Sequence, residues 1–183
     1  MIRALDFIFS LIGLVLGFPV LLLLWLLLRC ESGSPIFLQE RVGRYKIPFK
    51  LIKFRTMGVH TASVATHLVN TSSITTLGRY LRRAKLDELP QLVNVLRGDM
   101  SLVGPRPCLY SQEELIYERS VKHVFSSRPG ITGLAQIQGV DMSTPKLLAQ
   151  LDKEMLDSLT PKNYFRYIIL TVTGKGMGDR IRD

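Results

Sequence analysis

A long apolar run near the N-terminus, from Phe7 to Leu28, contains no charged side chain. At about 1.5 Å of rise per residue, a helix of this length reaches across a bilayer core of about 30 Å. A secretory signal peptide has a shorter apolar region, about 7–15 residues, and ends in small residues at its cleavage site. This run ends instead in Leu27-Leu28-Arg29-Cys30. The sequence therefore predicts a membrane anchor that is retained.

Two topologies are open for this anchor. Pro19 lies near the middle of the run, after Gly13 and Gly17, and a proline there is expected to kink a helix. A kinked helix can still span the membrane, because membrane helices tolerate proline. A helix-break-helix hairpin would enter and leave by the same face. Arg3 and Arg29 flank the run, and basic residues prefer the cytoplasmic side, but charge and Pro19 alone do not choose between the two topologies.

Basic residues dominate the segment that follows the anchor and the chain as a whole. No acidic residue interrupts the basic run Arg41, Arg44, Lys46, Lys50, Lys53 and Arg55, which predicts that the following domain lies on the cytoplasmic face. The net charge of +9 predicts an anionic partner. Nucleic acid, an anionic membrane surface and a phosphorylated substrate all fit that description.

The few cysteines and histidines argue against a disulfide framework and a zinc site. Cys30 and Cys108 lack CxxC spacing, and reduced thiols in a cytoplasmic domain are the simplest expectation. His60 and His67 have no third ligand at a useful spacing, so we do not expect them to bind zinc.

The stretch from Lys85 to Pro107 carries the most chemistry per residue. Asp87 and Glu88 are adjacent and are followed by apolar residues at helical spacing, namely Leu89, Leu92, Val93 and Leu96. Gly98 is a helix stop signal, and Pro90 is tolerated in a first turn. The pattern predicts a helix that begins at about Asp87, with both carboxylates at its N-terminus.

That position allows two interpretations of Asp87. It can be an N-cap that accepts hydrogen bonds from free backbone N–H groups. It can also be an ionised nucleophile toward phosphorus, because a helix N-terminus stabilises a carboxylate. Attack on a phosphate needs cations nearby, and the chain supplies Arg79, Arg82, Arg83, Lys85, Arg97 and Arg106 around the pair.

Further segments have simpler patterns. Ile36 to Gln39 and Pro48 to Phe54 are predicted to be extended, and the predicted helices are Leu77–Lys85, Ser111–Val124 and Thr144–Ser158. Loops are expected at Val59–Thr76 and Arg128–Gly133, and a strand or extended turn at Leu134–Gly139. Tyr164 to Val172 is aromatic and apolar, and its spacing does not decide whether it packs on the domain or enters the membrane interface.

Several ordered motifs together resemble the bacterial sugar transferase family, the monotopic phosphoglycosyl transferases. They are KFRTM at 53–57, LGR at 77–79, DELPQ at 87–91, LRGDMSLVGPRP at 96–107 and RPGITG at 128–133. The resemblance covers nearly the whole chain. It implies an α/β protein, mostly helical with few short strands. Residues 1–30 would form a re-entrant helix-break-helix anchor, and residues 31–183 a cytoplasmic, membrane-associated catalytic domain with interfacial amphipathic helices.

The resemblance also implies a reaction. The protein would transfer a sugar-1-phosphate from a UDP-sugar to polyprenol (undecaprenyl) phosphate and release UMP, through a covalent aspartyl-phosphosugar. This would initiate bacterial glycan assembly at the cytoplasmic face of the inner membrane. The compact form is similar to members that use N-acetylated amino sugars. Membrane lipids are expected as partners, nucleic acid is not, and a homodimer is left open.

The resemblance assigns roles to particular residues. Asp87 would be the nucleophile and a ligand of Mg²⁺ or Mn²⁺, and Glu88 would assist it. Phosphate oxygens would be bound by Lys53, Arg55, Arg82, Arg106 and Arg128. Leu134, Gln138 and Val140 depart from the family pattern, where many members have Trp, Asn and Arg, so the sugar and base contacts are not defined. Asp152 falls about where the family has an Asp near the active site.

Two other function classes fit parts of the pattern. A non-catalytic, membrane-anchored basic module could bind anionic lipid or nucleic acid. Nucleic-acid binding usually interleaves aromatic with basic residues, and only Tyr80 does so between Arg79 and Arg106. A spanning structural protein would leave Asp87, Glu88 and the arginines around them without a role.

Overall fold

The structure is a computed structural model that describes residues 1–58 and 73–174. The predicted loop at Val59–Thr76 lies largely outside these ranges. His60 and His67 lie outside them entirely, so the expectation about zinc concerns residues that the structure does not describe.

The described part of the chain is mostly helical, as predicted. Its α-helices are α1 (Ile2–Ser32), α2 (Thr76–Arg83), α3 (Gln91–Arg97), α4 (Glu113–Val121), α5 (Leu134–Ile137), α6 (Pro145–Asp157) and α7 (Pro161–Val172). The strands are β1 (Ile36–Val42), β2 (Pro48–Phe54), β3 (Ser101–Val103) and β4 (Gly130–Thr132). Short 3₁₀ turns occupy Arg44–Lys46, Leu86–Glu88 and Val124–Ser126.

Helix α1 is continuous through Pro19, so the predicted interruption of the helix is not found. A proline removes one backbone hydrogen bond, but the bonds on either side can carry the helix past it. The helix ends at Gly33, whose φ of 69° lets its N–H reach the carbonyl of Arg29. By length and composition, α1 is apolar enough to cross a membrane.

The N-terminal end of α1 is hydrogen-bonded to the domain. Arg3 donates to the carbonyl oxygens of Val95 and Leu96 at 2.6 and 2.9 Å. Asp6 is 2% exposed. Its Oδ1 accepts hydrogen bonds from the Ser101 hydroxyl, the Leu102 N–H and the Tyr164 hydroxyl, each at 2.9 Å. Burial and the neighbouring Asp6 carboxylate raise the pKa of Tyr164, so its hydroxyl stays protonated as a donor.

The C-terminal end of α1 packs on the same domain through apolar contacts. Leu24 and Leu28 are buried in a cluster with Phe54 of β2 and Leu81 of α2. Between the two ends most side chains from Leu11 to Leu23 are exposed, and Leu16 is 75% exposed. Both ends of one helix therefore contact one domain.

Strands β1 and β2 form an antiparallel hairpin, which agrees with the predicted extended segments. The buried side chain of Asn94 in α3 joins this hairpin to the next helix. Its Oδ1 accepts from the Ile52 N–H at 3.0 Å, and its Nδ2 donates to the Lys50 carbonyl at 2.8 Å. Asn94 thereby holds α3 against β2.

Strands β3 and β4 pair in parallel, so the segment predicted as a loop at Arg128–Gly133 contains a strand. The backbones of the two segments approach so closely that a Cβ on Gly130 would lie 2.1 Å from the Gly104 nitrogen. Only glycine fits there. The predicted strand or extended turn at Leu134–Gly139 was also wrong, because residues Leu134–Ile137 form α5.

The last two helices complete the core. α6 begins with Pro145 in its first turn, as predicted, and packs against α4. α7 packs on the domain through Tyr164 and Tyr167, which are buried, whereas its other face is exposed. That exposed face carries Phe165, Ile169 and Val172.

Candidate active site

The Asp87–Glu88 pair lies in a 3₁₀ turn, and the prediction that it begins a helix was wrong. Helix α3 starts only at Gln91, after Pro90. Lys85 ends the preceding helical segment by adopting a left-handed φ of 57°, and hydrogen bonds of the i to i+3 type then run from Lys85 to Pro90. Asp87 is therefore not the cap of α3, and the helix-terminus argument for its ionisation does not apply.

The two carboxylates have different surroundings. Successive side chains diverge by about 120° in a 3₁₀ turn. Asp87 is 7% exposed, whereas Glu88 lines a cavity of about 370 Å³. This asymmetry fits distinct roles for the two residues better than a pair that shares one proton.

Arg106 forms an ion pair with Glu88, with 2.7 Å between Nη2 and Oε1. It follows β3 in the Pro105-Arg106-Pro107 sequence, where the two prolines restrict the backbone. Lys85 lines the same end of the cavity. Burial lowers the pKa of Lys85, Glu88 opposes this shift, and Arg106 lowers the pKa further. From the sequence, Lys85 is recognisable only as one of several cations near the pair.

A buried ion pair between Arg119 and Asp152 holds the backbone of Arg106. Arg119 of α4 and Asp152 of α6 are 1% and 2% exposed, and Arg119 Nη2 lies 2.7 Å from Asp152 Oδ2. Arg119 Nη1 donates to the Arg106 carbonyl at 2.8 Å. Burial raises the pKa of Asp152, and the Arg119 guanidinium opposes that rise. Asp152 therefore contacts Arg106 only indirectly, through Arg119. No local sequence pattern had singled out Arg119.

The guanidinium of Arg82, in α2, is held in place by one hydrogen bond and has one N–H donor group that is not used within the part of the chain that the structure describes. Its Nε donates to the Thr56 hydroxyl at 2.8 Å. Its Nη1 is buried and has no hydrogen-bond partner among the described residues. A buried donor of this kind is costly unless it binds something, so Arg82 fits an anion-binding role.

The other predicted phosphate ligands are held mainly by the fold. Lys53 of β2 and Arg55, which directly follows the strand, lie on one side as alternation predicted, each 5.4 Å from the ring centroid of Phe37. Arg55 Nε donates to the Ser34 carbonyl at 2.9 Å. Arg128 Nε donates to the Gly98 carbonyl at 2.8 Å. Phosphate binding by these three residues stays a prediction.

The carboxylates near the site suit a metal ion that also binds the substrate, rather than one held by protein side chains alone. The described residues contain no group of three or more His, Cys, Asp or Glu side chains that could hold a metal ion. Mg²⁺ does not need such a cage, because it commonly binds one or two carboxylates together with phosphate oxygens and water. Asp87 fits a magnesium ion of that substrate-bridged kind.

The chain is similar in sequence to several named bacterial proteins. An "uncharacterized sugar transferase" of Haemophilus influenzae and an "undecaprenyl-phosphate galactose phosphotransferase" of Salmonella typhimurium are each 37% identical over 154 residues, 75% of this chain and 32% of the relative. A "UDP-glucose:undecaprenyl-phosphate glucose-1-phosphate transferase" of Caulobacter vibrioides is 39% identical over 162 residues, 82% of this chain and 61% of that protein.

The chain spans about a third of the length of the Haemophilus and Salmonella relatives. The family model of bacterial sugar transferases, by contrast, matches residues 1–175, from the membrane helix to the segment after α7. Asp87, Glu88 and Arg106 lie within the matched range. The chain therefore belongs to the bacterial sugar transferase family.

Proposed function

We propose that this protein transfers a sugar-1-phosphate from a UDP-sugar to polyprenol phosphate and releases UMP. The observation that carries the proposal is the buried carboxylate of Asp87 beside the Glu88–Arg106 ion pair. A nucleophile and a phosphate-binding cation are what phosphoryl transfer requires. Relatives named as undecaprenyl-phosphate sugar transferases support the same substrates.

In the first step, an oxygen of Asp87 attacks the phosphorus that bears the sugar. A new bond forms between Asp87 and phosphorus as the bond to the bridging oxygen of the diphosphate breaks. UMP leaves with that oxygen, and the phosphosugar remains as an acyl phosphate on Asp87.

In the second step, a phosphate oxygen of the polyprenol phosphate attacks the same phosphorus. The bond to Asp87 breaks, its carboxylate is restored, and the product is a polyprenyl diphosphate sugar. Glu88 is placed to orient the incoming phosphate or to accept a proton from it. Its ion pair with Arg106 would hold the Glu88 carboxylate in place until that phosphate displaces it as the arginine's partner.

Mg²⁺, held by Asp87 and diphosphate oxygens, would offset negative charge on the phosphates during transfer. Arg106 would bind phosphate oxygens as a fork of donors, and the unused Nη1 of Arg82 offers another donor. Lys53, Arg55 and Arg128 would add positive charge around the donor.

The proposal is tested by incubating the purified protein in detergent with Mg²⁺, undecaprenyl phosphate and a panel of UDP-sugars that includes N-acetylated amino sugars. UMP should appear only with the correct sugar, together with a lipid-linked product. A protein that is folded but releases no UMP with any UDP-sugar, and binds anionic vesicles instead, would be a lipid-binding module.

We infer that α1 is re-entrant, through a bend at Pro19 that leaves the helix continuous, and that the domain lies on the cytoplasmic face of the inner membrane. Two features support this topology. Arg3 and Asp6 contact the domain at one end of α1, and Leu24 and Leu28 contact it at the other. A straight span would separate the two ends by a bilayer core of about 30 Å. The exposed apolar face of α7 would then lie in the interface, since Phe165 packs on Phe9 of α1 with ring centroids 5.6 Å apart.

The topology makes a labelling prediction. In a background with Cys30 replaced by Ser, the Ile2→Cys variant should not react in intact cells with a thiol reagent that enters only the periplasm. It should react once the inner membrane is permeabilised. Asp157→Cys, exposed on α6, is the matched control for the cytoplasmic domain. Efficient labelling of Ile2→Cys in intact cells, with Asp157→Cys still protected, would mean that α1 spans the membrane.

Arg106→Ala is expected to lower kcat/KM by roughly 30- to 150-fold, which corresponds to about 2–3 kcal/mol for a lost charge-assisted contact. The variant also leaves Glu88 without its 2.7 Å partner. UMP release and the thermal midpoint should be measured together, with Arg97→Ala, exposed in the last turn of α3, as the control. A folded Arg106→Ala protein with wild-type kinetics would show that Arg106 is structural.

A further inference from the structure

The cavity beside Glu88 has one charged end and otherwise apolar walls. Its volume is about 370 Å³, within the range of about 300–1,000 Å³ that small-ligand pockets occupy. Lys85, Glu88 and Arg106 form the charged end, which carries a net positive charge. α3, β3, β4 and α7 supply the apolar walls, through side chains that include Leu92, Leu102 and Ile168.

The polar side chains away from the charged end use most of their donors within the protein. Thr171 donates its hydroxyl hydrogen to the Tyr167 carbonyl, so Thr132 must be the donor in the hydrogen bond between the Thr132 and Thr171 hydroxyls. Gln136 Nε2 donates to the Ile131 carbonyl at 2.8 Å. A nucleotide or sugar bound here would bury several hydrogen-bonding groups without partners, at a cost of about 1–3 kcal/mol each.

The cavity also adjoins the exposed apolar face of α7. Val172 lines the cavity and is 81% exposed, so it stands at the rim next to the apolar face of α7. On the opposite wall, the Leu92 side chain reaches α1 where Gly13 leaves room, since a Cβ at Gly13 would lie 3.1 Å from Leu92 Cδ1. An apolar chain can therefore pass between membrane-facing helices and the charged end.

We propose that this cavity binds the phosphate-proximal isoprene units of the polyprenol phosphate acceptor, with its phosphate at the Lys85–Glu88–Arg106 end. The inference rests on the proposed function and deepens it, because it separates the acceptor site from that of the UDP-sugar. Asp87, which does not line the cavity, faces the donor. Ile168 and Val172 then determine which acceptor chains fit.

The test fills the cavity and measures the two half-reactions separately. Ile168→Trp should raise the KM for undecaprenyl phosphate in mixed micelles by about tenfold or more, because the indole takes volume that the isoprene units need. UMP release and the mass adduct formed with UDP-sugar alone should keep their wild-type amplitude. The KM for farnesyl phosphate, a short acceptor, should rise as well, since its tail would lie in the cavity rather than in the micelle.

Ile169→Trp is the matched control, because Ile169 is the next residue of α7 and is 59% exposed outside the cavity. It should leave the KM for both acceptors near the wild-type value. The inference is overturned if Ile168→Trp also has wild-type acceptor kinetics, as expected for a cavity filled only by bilayer lipid. It is equally overturned if the KM for UDP-sugar rises instead.

A second variant covers the case in which the tryptophan prevents folding. Ile168→Ala removes wall contacts, and it should raise the KM for farnesyl phosphate several-fold with the KM for UDP-sugar unchanged. An unchanged KM for farnesyl phosphate would overturn the inference. Failure of the proposed function is distinguishable from all these results, because the wild type itself would then form no acceptor-dependent product.

Discussion

Asp87→Asn is expected to abolish turnover, lowering kcat on the order of 10⁴-fold or more, while the protein stays folded. Asparagine keeps the shape and most hydrogen-bonding capacity of the aspartate, but its amide is a very poor nucleophile toward phosphorus. Asp87 is 7% exposed in the 3₁₀ turn, so an isosteric change should disturb its packing little.

The decisive measurement is the intact mass of the protein after mixing with UDP-sugar and Mg²⁺ in the absence of polyprenol phosphate. The wild type should gain the mass of one sugar phosphate and lose it when the acceptor is added. Asp87→Asn should gain nothing. Glu88→Gln should be slow in turnover but should still form the adduct and release UMP once per enzyme, because the nucleophile remains.

Asp157→Asn is the control, since it makes the same chemical change at an exposed carboxylate on α6 and should behave as wild type. The covalent mechanism is wrong if no adduct forms under any quench and kinetics require both substrates to be bound before UMP leaves. Asp87 would then serve as a metal ligand only.

Asp152→Ala is expected to destabilise the protein by about 3–5 kcal/mol, because it leaves the Arg119 guanidinium buried without its counter-charge. For a chain of this size that is a fall in the thermal midpoint of about 6–20 °C. Activity should fall as well at temperatures where the variant is folded, because Arg119 also holds the Arg106 carbonyl at 2.8 Å.

The same helix provides the control for this prediction. Asp157 pairs with Lys153 on the surface of α6, and its side chain is 60% exposed, against 3% for Asp152. Asp157→Ala should cost no more than about 1 kcal/mol. In thermal unfolding in detergent, equal midpoints for the two variants would contradict a structural role for the buried pair. Replacing Arg119 by Met together with Asp152 by Leu should be milder than Asp152→Ala alone, since no charge then remains buried.

The amino-acid sequence alone selected Asp87, Glu88 and Arg106 as candidate site residues, and their catalytic roles stay a prediction. Asp87, Glu88 and Arg106 lie within one short stretch, and phosphoryl transfer needs those side-chain types. The apolar run from Phe7 to Leu28 likewise predicted a membrane anchor, because residue hydropathy and length are enough to estimate whether a helix suits a bilayer.

Local signals failed where two short-range preferences competed. Asp87, Pro90 and the apolar spacing that follows predicted a helix from about Asp87, but Lys85 adopts a left-handed conformation and a 3₁₀ turn precedes α3. Pro19 predicted an interruption that α1 does not have. Pro19 is exposed, so no packed neighbour decides the conformation there, and the backbone hydrogen bonds on either side carry the helix past it.

Only the tertiary structure decided which distant residues meet. Glu88 and Arg106 are 18 positions apart, Arg119 and Asp152 are 33 apart, and Asp6 and Tyr164 are 158 apart. Periodicity and composition indicate which side chains tend to be buried, but they do not name the partner that each buried polar group requires. The pairing of both ends of α1 with one domain, and the cavity between α3 and α7, arise from such long-range contacts.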